Sequence, residues 1–505
     1  MKLLQQIRNI AHIRPNTVAF VSPNHVTTYG ELWNQSEKVA AFLLKQTIKK
    51  HSPIVVYGHM DSSIIASFLG SVMAGHPYIP IDTSIPADRI THIIANAEAE
   101  LIINTSGHPL PLVDCKVTNI IYEQIMSDLH SSGPIEESNW VEGKDNFYII
   151  YTSGSTGLPK GVQISADNLQ SFIDWMVEDF PIQEQKRFLN QAPFSFDLSV
   201  MDLYPALMTG GSLFAITKEM IEKPKVLFEE LLRSGAQVWT STPSFAQMCL
   251  MDPSFNEELL PELSVFLFCG EVLPQGICKQ LMNRFPRARC FNTYGPTEAT
   301  VAVTSIEVTD EILKAYHTLP IGKPKNDTEI LLFDEQGNLV PDGDKGEIII
   351  VGPGVSKGYL GQPKLTDKAF FTYKDTPAYR TGDAGFRDSD GNLFYQGRID
   401  FQIKLHGYRM ELEEIEYHLS QSTFVQSAIV IPMDREGKID YLLAAIVPAE
   451  HSFEKPYQLT GAIKGELSKV MPAYMIPRKF SYFHELPMTA NGKMDRKRIK
   501  DMVLL

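Results

Sequence analysis

The run Phe147-Tyr148-Ile149-Ile150-Tyr151 passes directly into Thr152-Ser153-Gly154-Ser155-Thr156-Gly157-Leu158-Pro159-Lys160-Gly161. The continuous apolar run reads as a buried strand, and the loop behind it leaves a sheet edge, where ligands bind in α/β proteins. Glycines and small hydroxyl residues leave backbone N–H groups free to surround a phosphate, and Lys160 adds a cation. The stretch predicts nucleotide chemistry. It is not a Walker A loop, which needs Gly-x-x-x-x-Gly-Lys-Ser/Thr; here the lysine follows Pro159. Gly352, Gly354 and Gly358 approximate a dinucleotide fingerprint with the wrong spacing and read as turn glycines. A flexible Ser/Gly linker is the bland alternative for 152–161, but linkers rarely sit directly behind a buried strand.

Outward from this loop, further strand-like runs alternate with helical patterns through the first 300 residues: Ile54-Val55-Val56-Tyr57, Leu101-Ile102-Ile103 and Val265-Phe266-Leu267-Phe268. Such alternation predicts an α/β fold. The polar segment Ser131-Ser132-Gly133-Pro134 reads as a connector before the phosphate-loop strand. At the start, Leu3, Leu4, Ile7, Ile10 and Ala11 mark one face of a helix. From about 320 to 398 short strands are punctuated by turns such as Asp342-Gly343 and Asp390-Gly391, a β-rich texture. After Gly397-Arg398-Ile399-Asp400 the pattern is mixed α+β. The expected organisation is a large N-terminal domain, 1–399, of α/β subdomains plus a β-rich subdomain, followed by a smaller α+β domain, 400–505.

A chain of 505 residues suggests more than one domain. The net charge of −14 argues against nonspecific nucleic-acid binding. That charge is uneven. Residues 400–505 carry 14 Lys+Arg and 14 Asp+Glu, so the first 399 hold the whole deficit, 32 against 46. Cys115, Cys249, Cys269, Cys278 and Cys290 form no C-x-x-C pair, and reduced cytosolic thiols are the simplest reading. Residues 1–18 are too polar for a signal peptide, and no run of about 18 apolar residues would span a membrane.

Several further blocks stand out: Asn292-Thr293-Tyr294-Gly295-Pro296-Thr297-Glu298, Tyr379-Arg380-Thr381-Gly382-Asp383, Gly397-Arg398-Ile399-Asp400-Phe401-Gln402-Ile403-Lys404, Gly407-Tyr408-Arg409-Met410-Glu411 and Asn491-Gly492-Lys493. Singly, each reads as a turn or a solvated face. Together and in this order they resemble the adenylate-forming enzymes, over essentially the whole chain. That superfamily joins a carboxylate to the α-phosphate of ATP, releases pyrophosphate, and passes the acyl group to a thiol with release of AMP. Such chemistry needs mostly positioning and charge stabilisation.

The resemblance implies specific roles. The loop holds the β- and γ-phosphates through Thr152, Ser153, Gly154, Ser155, Thr156, Gly157 and Lys160. Tyr294 packs against adenine with Asn292 on its polar edge, within an ATP-binding segment that includes Thr293, Gly295, Pro296 and Thr297. Asp383 accepts both ribose hydroxyls, and Tyr395 and Arg398 approach the nucleotide. Glu298 is the expected Mg²⁺ contact, an oxygen ligand for a hard cation. Lys493 bridges the α-phosphate side and the substrate carboxylate as a mobile point charge, and is the expected catalytic residue. Asp400 matches the hinge about which the small C-terminal lid domain swings between the two half-reactions.

The block Phe194-Ser195-Phe196-Asp197-Leu198-Ser199-Val200-Met201-Asp202 bears on the acid. In amino-acid-activating members an aspartate at the position of Asp197 pairs with the substrate ammonium; an unpaired buried carboxylate would be costly. A helix-capping role is the alternative. The same resemblance places Leu198, Met201, Thr240, Leu267, Cys269, Thr293, Val301 and Ala302 at the acyl pocket, which implies a small apolar space suited to alanine. The segments around Cys269 and 293–302 resemble the stand-alone D-alanine–D-alanyl carrier protein ligases, and the D configuration rests on that resemblance alone. Cys269 reads as a shape element, with no general base beside it. With no carrier segment behind the Asn-Gly-Lys block, a phosphopantetheine thiol on a separate carrier protein is the expected acceptor. The basic residues Lys493, Arg496, Lys497, Arg498 and Lys500 could dock it or simply form a solvated helix face. The resemblance places the enzyme in the cytosol, supplying D-alanine for teichoic acids. L-alanine, glycine or serine activation is the nearest alternative; an acyl-CoA synthetase and a non-enzymatic adenylate sensor are further ones.

Overall fold

The protein is described from a computed structural model. The structure describes residues 1–23, 25–111, 117–128, 134–154, 157–183, 185–400, 402–435, 438–487 and 495–504. Ser155, Thr156, Cys115, the connector 131–133 and the block 491–494 with Lys493 lie outside the described residues.

The strand read from the opening stretch is Asn146–Thr152, with Phe147 to Ile150 buried. It lies in a six-stranded sheet ordered Thr118–Ile121, Leu101–Asn104, Ile54–Gly58, Tyr78–Asp82, Asn146–Thr152, Lys160–Ser165. The first five strands run parallel; Leu101–Asn104, Ile54–Gly58 and Tyr78–Asp82 are buried throughout, which explains their apolar runs, while the edge strand Thr118–Ile121 is largely exposed. The phosphate loop does not open a helix. It returns as the antiparallel edge strand Lys160–Ser165, with Thr152 opposite Lys160. Lys160 is therefore placed by a hairpin strand and not by a helix.

A nine-stranded sheet carries Arg187–Asn190, Val238–Ser241, Val265–Phe268 and Arg289–Tyr294 at its centre. The N-terminal helix Lys2–Ile13 buries Leu3, Leu4, Ile7, Ile10 and Ala11 against this body. Burial of side chains of this size contributes roughly 1.5–3 kcal/mol each, enough to dock a helix this short. The strands Glu329–Phe333, Gly346–Val351, Phe370–Tyr373, Thr376–Arg387 and Leu393–Arg398 form an antiparallel sheet of their own. Lys323–Pro324, within the stretch read as β-rich, instead closes the edge of the nine-stranded sheet.

Beyond Asp400 comes a smaller α+β unit. The hairpin Gln402–Leu405/Tyr408–Glu411 precedes the helix Leu412–Ser420 and a three-stranded sheet, Val425–Arg435, Lys438–Pro448 and Lys479–Tyr482. Its core gathers Ile403, Leu405, Met410, Leu412, Ile415 and Leu419. The mixed α/β fold, with a large N-terminal and a small C-terminal domain, is as the sequence leads one to expect. No helix among the described residues is long and apolar enough to cross a membrane.

Candidate active site

A cleft of about 1150 Å³ opens between the large body and the 402–411 hairpin. Asp197, Leu198, Cys269, Val301, Asp383 and Arg398 line one side. Lys404, Gly407, Tyr408 and Arg409 line the other.

At one end stands Asp383. One carboxylate oxygen accepts the Tyr294 hydroxyl at 2.5 Å and the other accepts Arg398 at 2.9 Å. Arg398 also donates to the Thr381 carbonyl at 2.7 Å and grips Asp400 through two nitrogens, at 2.8 and 2.5 Å. Such bidentate pairing fixes the guanidinium plane, so Asp383 and Asp400 are held by one side chain. Gly382, at φ +70°, allows the turn; a Cβ there would meet Arg398 at 2.8 Å. Tyr395 lies 6.3 Å from Tyr294, ring centre to ring centre. Burial, then the Asp383 carboxylate, pushes the Tyr395 hydroxyl above its usual range. Asn292 donates to the Pro320 carbonyl at 2.8 Å and Thr293 to the Phe268 carbonyl at 2.9 Å.

At the other end Asp197 accepts the Thr297 hydroxyl at 2.6 Å. Desolvation pushes its carboxyl above the usual range, and Thr297, then Lys404, opposes that shift. Leu198, Cys269 and Val301 form an apolar wall beside it. Thr300 and Val301 both have left-handed backbones, φ 59° and 71°, which β-branched residues rarely adopt. They are held there by Thr300 donating to Gly354 at 2.7 Å and by Ala302 N–H donating to the Thr300 carbonyl at 2.9 Å. The Cys269 sulfur lies 3.9 Å from the Val301 carbonyl, and burial pushes its thiol up, against a nucleophilic role. Met201, Thr240, Leu267 and Ala302 are fully buried behind this wall and back it without lining the cleft.

The phosphate loop is engaged by the small unit. Glu414 accepts the Gly154 N–H at 3.0 Å and pairs with Arg89 at 2.5 Å, both side chains buried. Ser153 donates to the Arg409 carbonyl at 3.2 Å. A Cβ on Gly157, φ +82°, would fall 2.3 Å from the Tyr417 ring, so the helix Leu412–Ser420 lies directly on the loop. Glu298, fully buried, accepts Arg409 at 2.5 Å and the Tyr359 hydroxyl at 2.8 Å, with Lys160 at 3.5 Å. Burial alone would raise its carboxyl, but Arg409 and Lys160 outweigh it and hold the group well below the usual range. Among the described residues no cluster of three or more His, Cys, Asp or Glu could hold a metal. With Arg409 on it, Glu298 is a salt-bridge partner in this arrangement.

The hairpin is pinned elsewhere by Gly407, whose N–H donates to Glu271 at 2.6 Å, and by Tyr408, stacked on Tyr474 at 4.0 Å and edge-on to Phe196 at 5.0 Å. The described flanks of the Lys493 block are joined by the Asp495 N–H to Pro487 carbonyl bond, 2.9 Å. Arg496 pairs with Glu416 at 2.6 Å. Glu416 is two residues from Glu414, hence on the far face of their helix from the phosphate loop. Of the basic residues near the end, Arg496 and Lys500 are in internal ion pairs, with Glu416 and Asp434.

Arg89, Glu414, Tyr359 and the Arg409–Glu298 pair carry no mark in the sequence reading. Arg409 lay within a quoted block, yet only its distant partner gives it a role.

The family described as AMP-binding enzyme matches residues 7–360, and the AMP-binding enzyme C-terminal domain matches residues 414–493. The D-alanine–D-alanyl carrier protein ligase of Bacillus licheniformis is 61% identical over 503 residues, covering 100% of both chains. The one from Bacillus velezensis is 59% identical over 506 residues, again covering 100% of both. Among solved structures, the Vibrio cholerae adenylation domain AlmE in complex with glycyl-adenosine-5'-phosphate shares the fold. Its TM-score is 0.82 at 23% identity, covering 100% of this chain and 97% of that one.

Proposed function

The chain belongs to the AMP-binding enzyme family, among the D-alanine–D-alanyl carrier protein ligases, and on that premise we propose how its residues perform a two-step ligation. In the first step a D-alanine carboxylate oxygen bonds to the α-phosphorus of ATP, and pyrophosphate leaves with the electron pair of the broken P–O bond. In the second a carrier thiol displaces AMP.

The observation that carries this reading is the cleft's two ends: Asp383 held by Tyr294 and Arg398 at one, Asp197 against a short apolar wall at the other. Asp383 accepts the ribose hydroxyls. Tyr294, Asn292 and Tyr395 flank the base. Gly154 and its neighbours, with Lys160, take the outer phosphates. Asp197 pairs with the substrate ammonium, which offsets the desolvation of its carboxylate. Leu198, Cys269 and Val301 limit the side chain to a methyl group. Mg²⁺, bound by Glu298 once Arg409 withdraws, would supply charge neutralisation at the phosphates. Lys493 serves the α-phosphate and the substrate carboxylate in the first step.

The small domain, 400–505, turns about Asp400 between the steps. The orientation described here suits the second, because Arg409 and Glu414 occupy the Glu298 and Gly154 contacts that the first step needs. The acceptor is a phosphopantetheine thiol on a separate carrier, and the product feeds teichoic acid D-alanylation. Use of ATP and reduced thiols places the enzyme in the cytoplasm.

Amino-acid-dependent ATP–pyrophosphate exchange tests the reading. D-alanine is expected to exceed L-alanine and glycine clearly. Equal exchange with L-alanine sinks the D-alanine assignment, and absence of exchange with any amino acid sinks the enzyme.

A further inference from the structure

The tip of the 402–411 hairpin carries a backbone donor that the hairpin itself does not use. Leu405 pairs with Tyr408, so His406 and Gly407 form a two-residue turn, both with left-handed backbones, at φ 51° and 84°. In such a turn the ladder bonds run between the flanking residues, and the N–H groups at the tip need other acceptors. The Gly407 N–H has one in the large domain: the Glu271 carboxylate, 136 positions away in the chain and at 2.6 Å. The other Glu271 oxygen accepts the Ser244 N–H at 3.0 Å and the Ser244 hydroxyl at 2.6 Å, at the first turn of the helix Pro243–Leu250. A carboxylate is favoured at that end of a helix, so Glu271 is held ready for the hairpin. The tip fits closely. A Cβ on Gly407 would run into the methyl group of Thr242, the N-cap of the same helix. The neighbouring contact of Tyr408 with Phe196 is apolar and edge-on. The Glu271 bond is charge-assisted and directional.

We infer that Glu271 is a positioning residue for the second step: its carboxylate latches the hairpin tip, and with it the small domain, in the orientation described here. This rests on the ligase reading above. The latch bond exists only while the hairpin is seated. For the first step Arg409 and Glu414 must leave Glu298 and Gly154, and the same turn of the small domain carries Gly407 off Glu271. Glu271 then keeps Ser244 alone. Loss of its carboxylate therefore costs the Ser244 bonds in both orientations and the Gly407 bond in one, which shifts the balance between them. A hydrogen bond to a charged group is worth roughly ten- to a hundredfold in such an equilibrium. Glu271 acts through the hairpin and has no part in the chemistry of the acyl transfer.

The test uses the full-length chain as wild type, Glu271→Ala, Glu271→Gln and Ser244→Ala. D-alanine-dependent ATP–pyrophosphate exchange reports the first step. Single-turnover transfer from preformed D-alanyl-adenylate to a phosphopantetheinylated D-alanyl carrier protein reports the second. In Glu271→Ala the two are expected to move in opposite directions. Transfer at low carrier falls about tenfold or more, while the KM for ATP in exchange falls about threefold because the competing orientation is weakened. Saturating carrier, which binds the second orientation, restores transfer to within about threefold of wild type. Glu271→Gln keeps the size of the side chain but has one oxygen for two sites, and loses about threefold or more in transfer at low carrier. Ser244→Ala keeps the Gly407 bond, and its transfer stays within about twofold of wild type. Transfer by Glu271→Ala within twofold of wild type overturns the inference. So does a KM for ATP that is unchanged or higher, a loss that saturating carrier does not restore, or a Ser244→Ala loss as large as that of Glu271→Ala. Thermal melts identify a variant that fails to fold, and Glu271→Gln then decides by the same signs. If the wild type itself shows no D-alanine-dependent exchange, the ligase reading fails; if it turns over and the two readouts do not separate, only the Glu271 assignment fails.

Discussion

The carboxylate of Glu414 accepts the backbone N–H of Gly154 at 3.0 Å, joining residues 260 positions apart. An acidic side chain thus occupies a donor of the loop read as a phosphate cradle, while Arg409 stands on Glu298, the residue read as a metal ligand. The small domain supplies an anion at the loop and a cation at Glu298. In this orientation protein groups occupy the partners that the proposed nucleotide site requires.

That competition gives an expected outcome for Glu414→Ala. Freed of the carboxylate, the loop binds ATP more readily, and the KM for ATP in pyrophosphate exchange falls about three- to tenfold. The variant also melts lower, because a buried Arg89 without its partner costs about 3–5 kcal/mol. Replacing both by methionine keeps the KM shift and recovers the melt. An unchanged KM in both proteins rules out the competition.

On the proposed reading, Asp197→Ala removes the countercharge of the substrate ammonium. The KM for D-alanine in exchange is expected to rise a hundredfold or more, with ATP binding by calorimetry within about threefold of wild type. A rise below tenfold means that Asp197 only orients Thr297.

Asp202 lies under the same wall, fully buried, with one oxygen 3.3 Å from the Asn190 amide and the other without a partner. Burial pushes its carboxyl from 3.8 up to about 8, so it keeps its proton in the folded protein at neutral pH. The folded state therefore binds more protons than the unfolded chain between these values. This contribution is complete below pH 3.8 and lost as pH rises to about 8. Asp202→Asn has no such dependence. Its Tm relative to wild type is expected to climb by at least about 2 °C between pH 5 and pH 8.5. A constant difference means the carboxyl is ionised in the fold.

Lys493→Ala is expected to abolish D-alanyl-adenylate formation, by about a hundredfold or more, while transfer from preformed adenylate stays within a few-fold. Rapid-quench measurement of the two half-reactions decides it. Equal loss in both means that one orientation serves both steps.

The phosphate-loop strand was legible because parallel strands covered on both faces must be apolar throughout, and 147–151 is. The amphipathic first helix was legible from its spacing, since five apolar residues recur on one face. Asp383 and Asp197 could be placed from motif order, because chain-local blocks carry them. The hairpin return of the loop was not legible: Lys160–Ser165 could as well begin a helix until its pairing with Asn146–Thr152 is seen. Nor were the Glu414–Arg89 pair and the Arg409–Glu298 pair, which join residues 325 and 111 apart. Such contacts depend on how the small domain is seated, a property that no local pattern encodes. Met201 and Leu267, read as pocket residues from the family resemblance, lie buried one layer behind Leu198, Cys269 and Val301, a depth that motif order does not encode.

The left-handed backbone at Val301 bears on how this enzyme could change its substrate. Glycine there would relieve strain worth roughly 1–3 kcal/mol while giving up side-chain burial of similar size. The two nearly cancel, so the wall of the acyl pocket can be cut back at this position with little net loss of folding stability. The fold therefore leaves the size of the acyl pocket at this position open to change, and the stability of Val301→Gly is expected to stay close to that of the wild type.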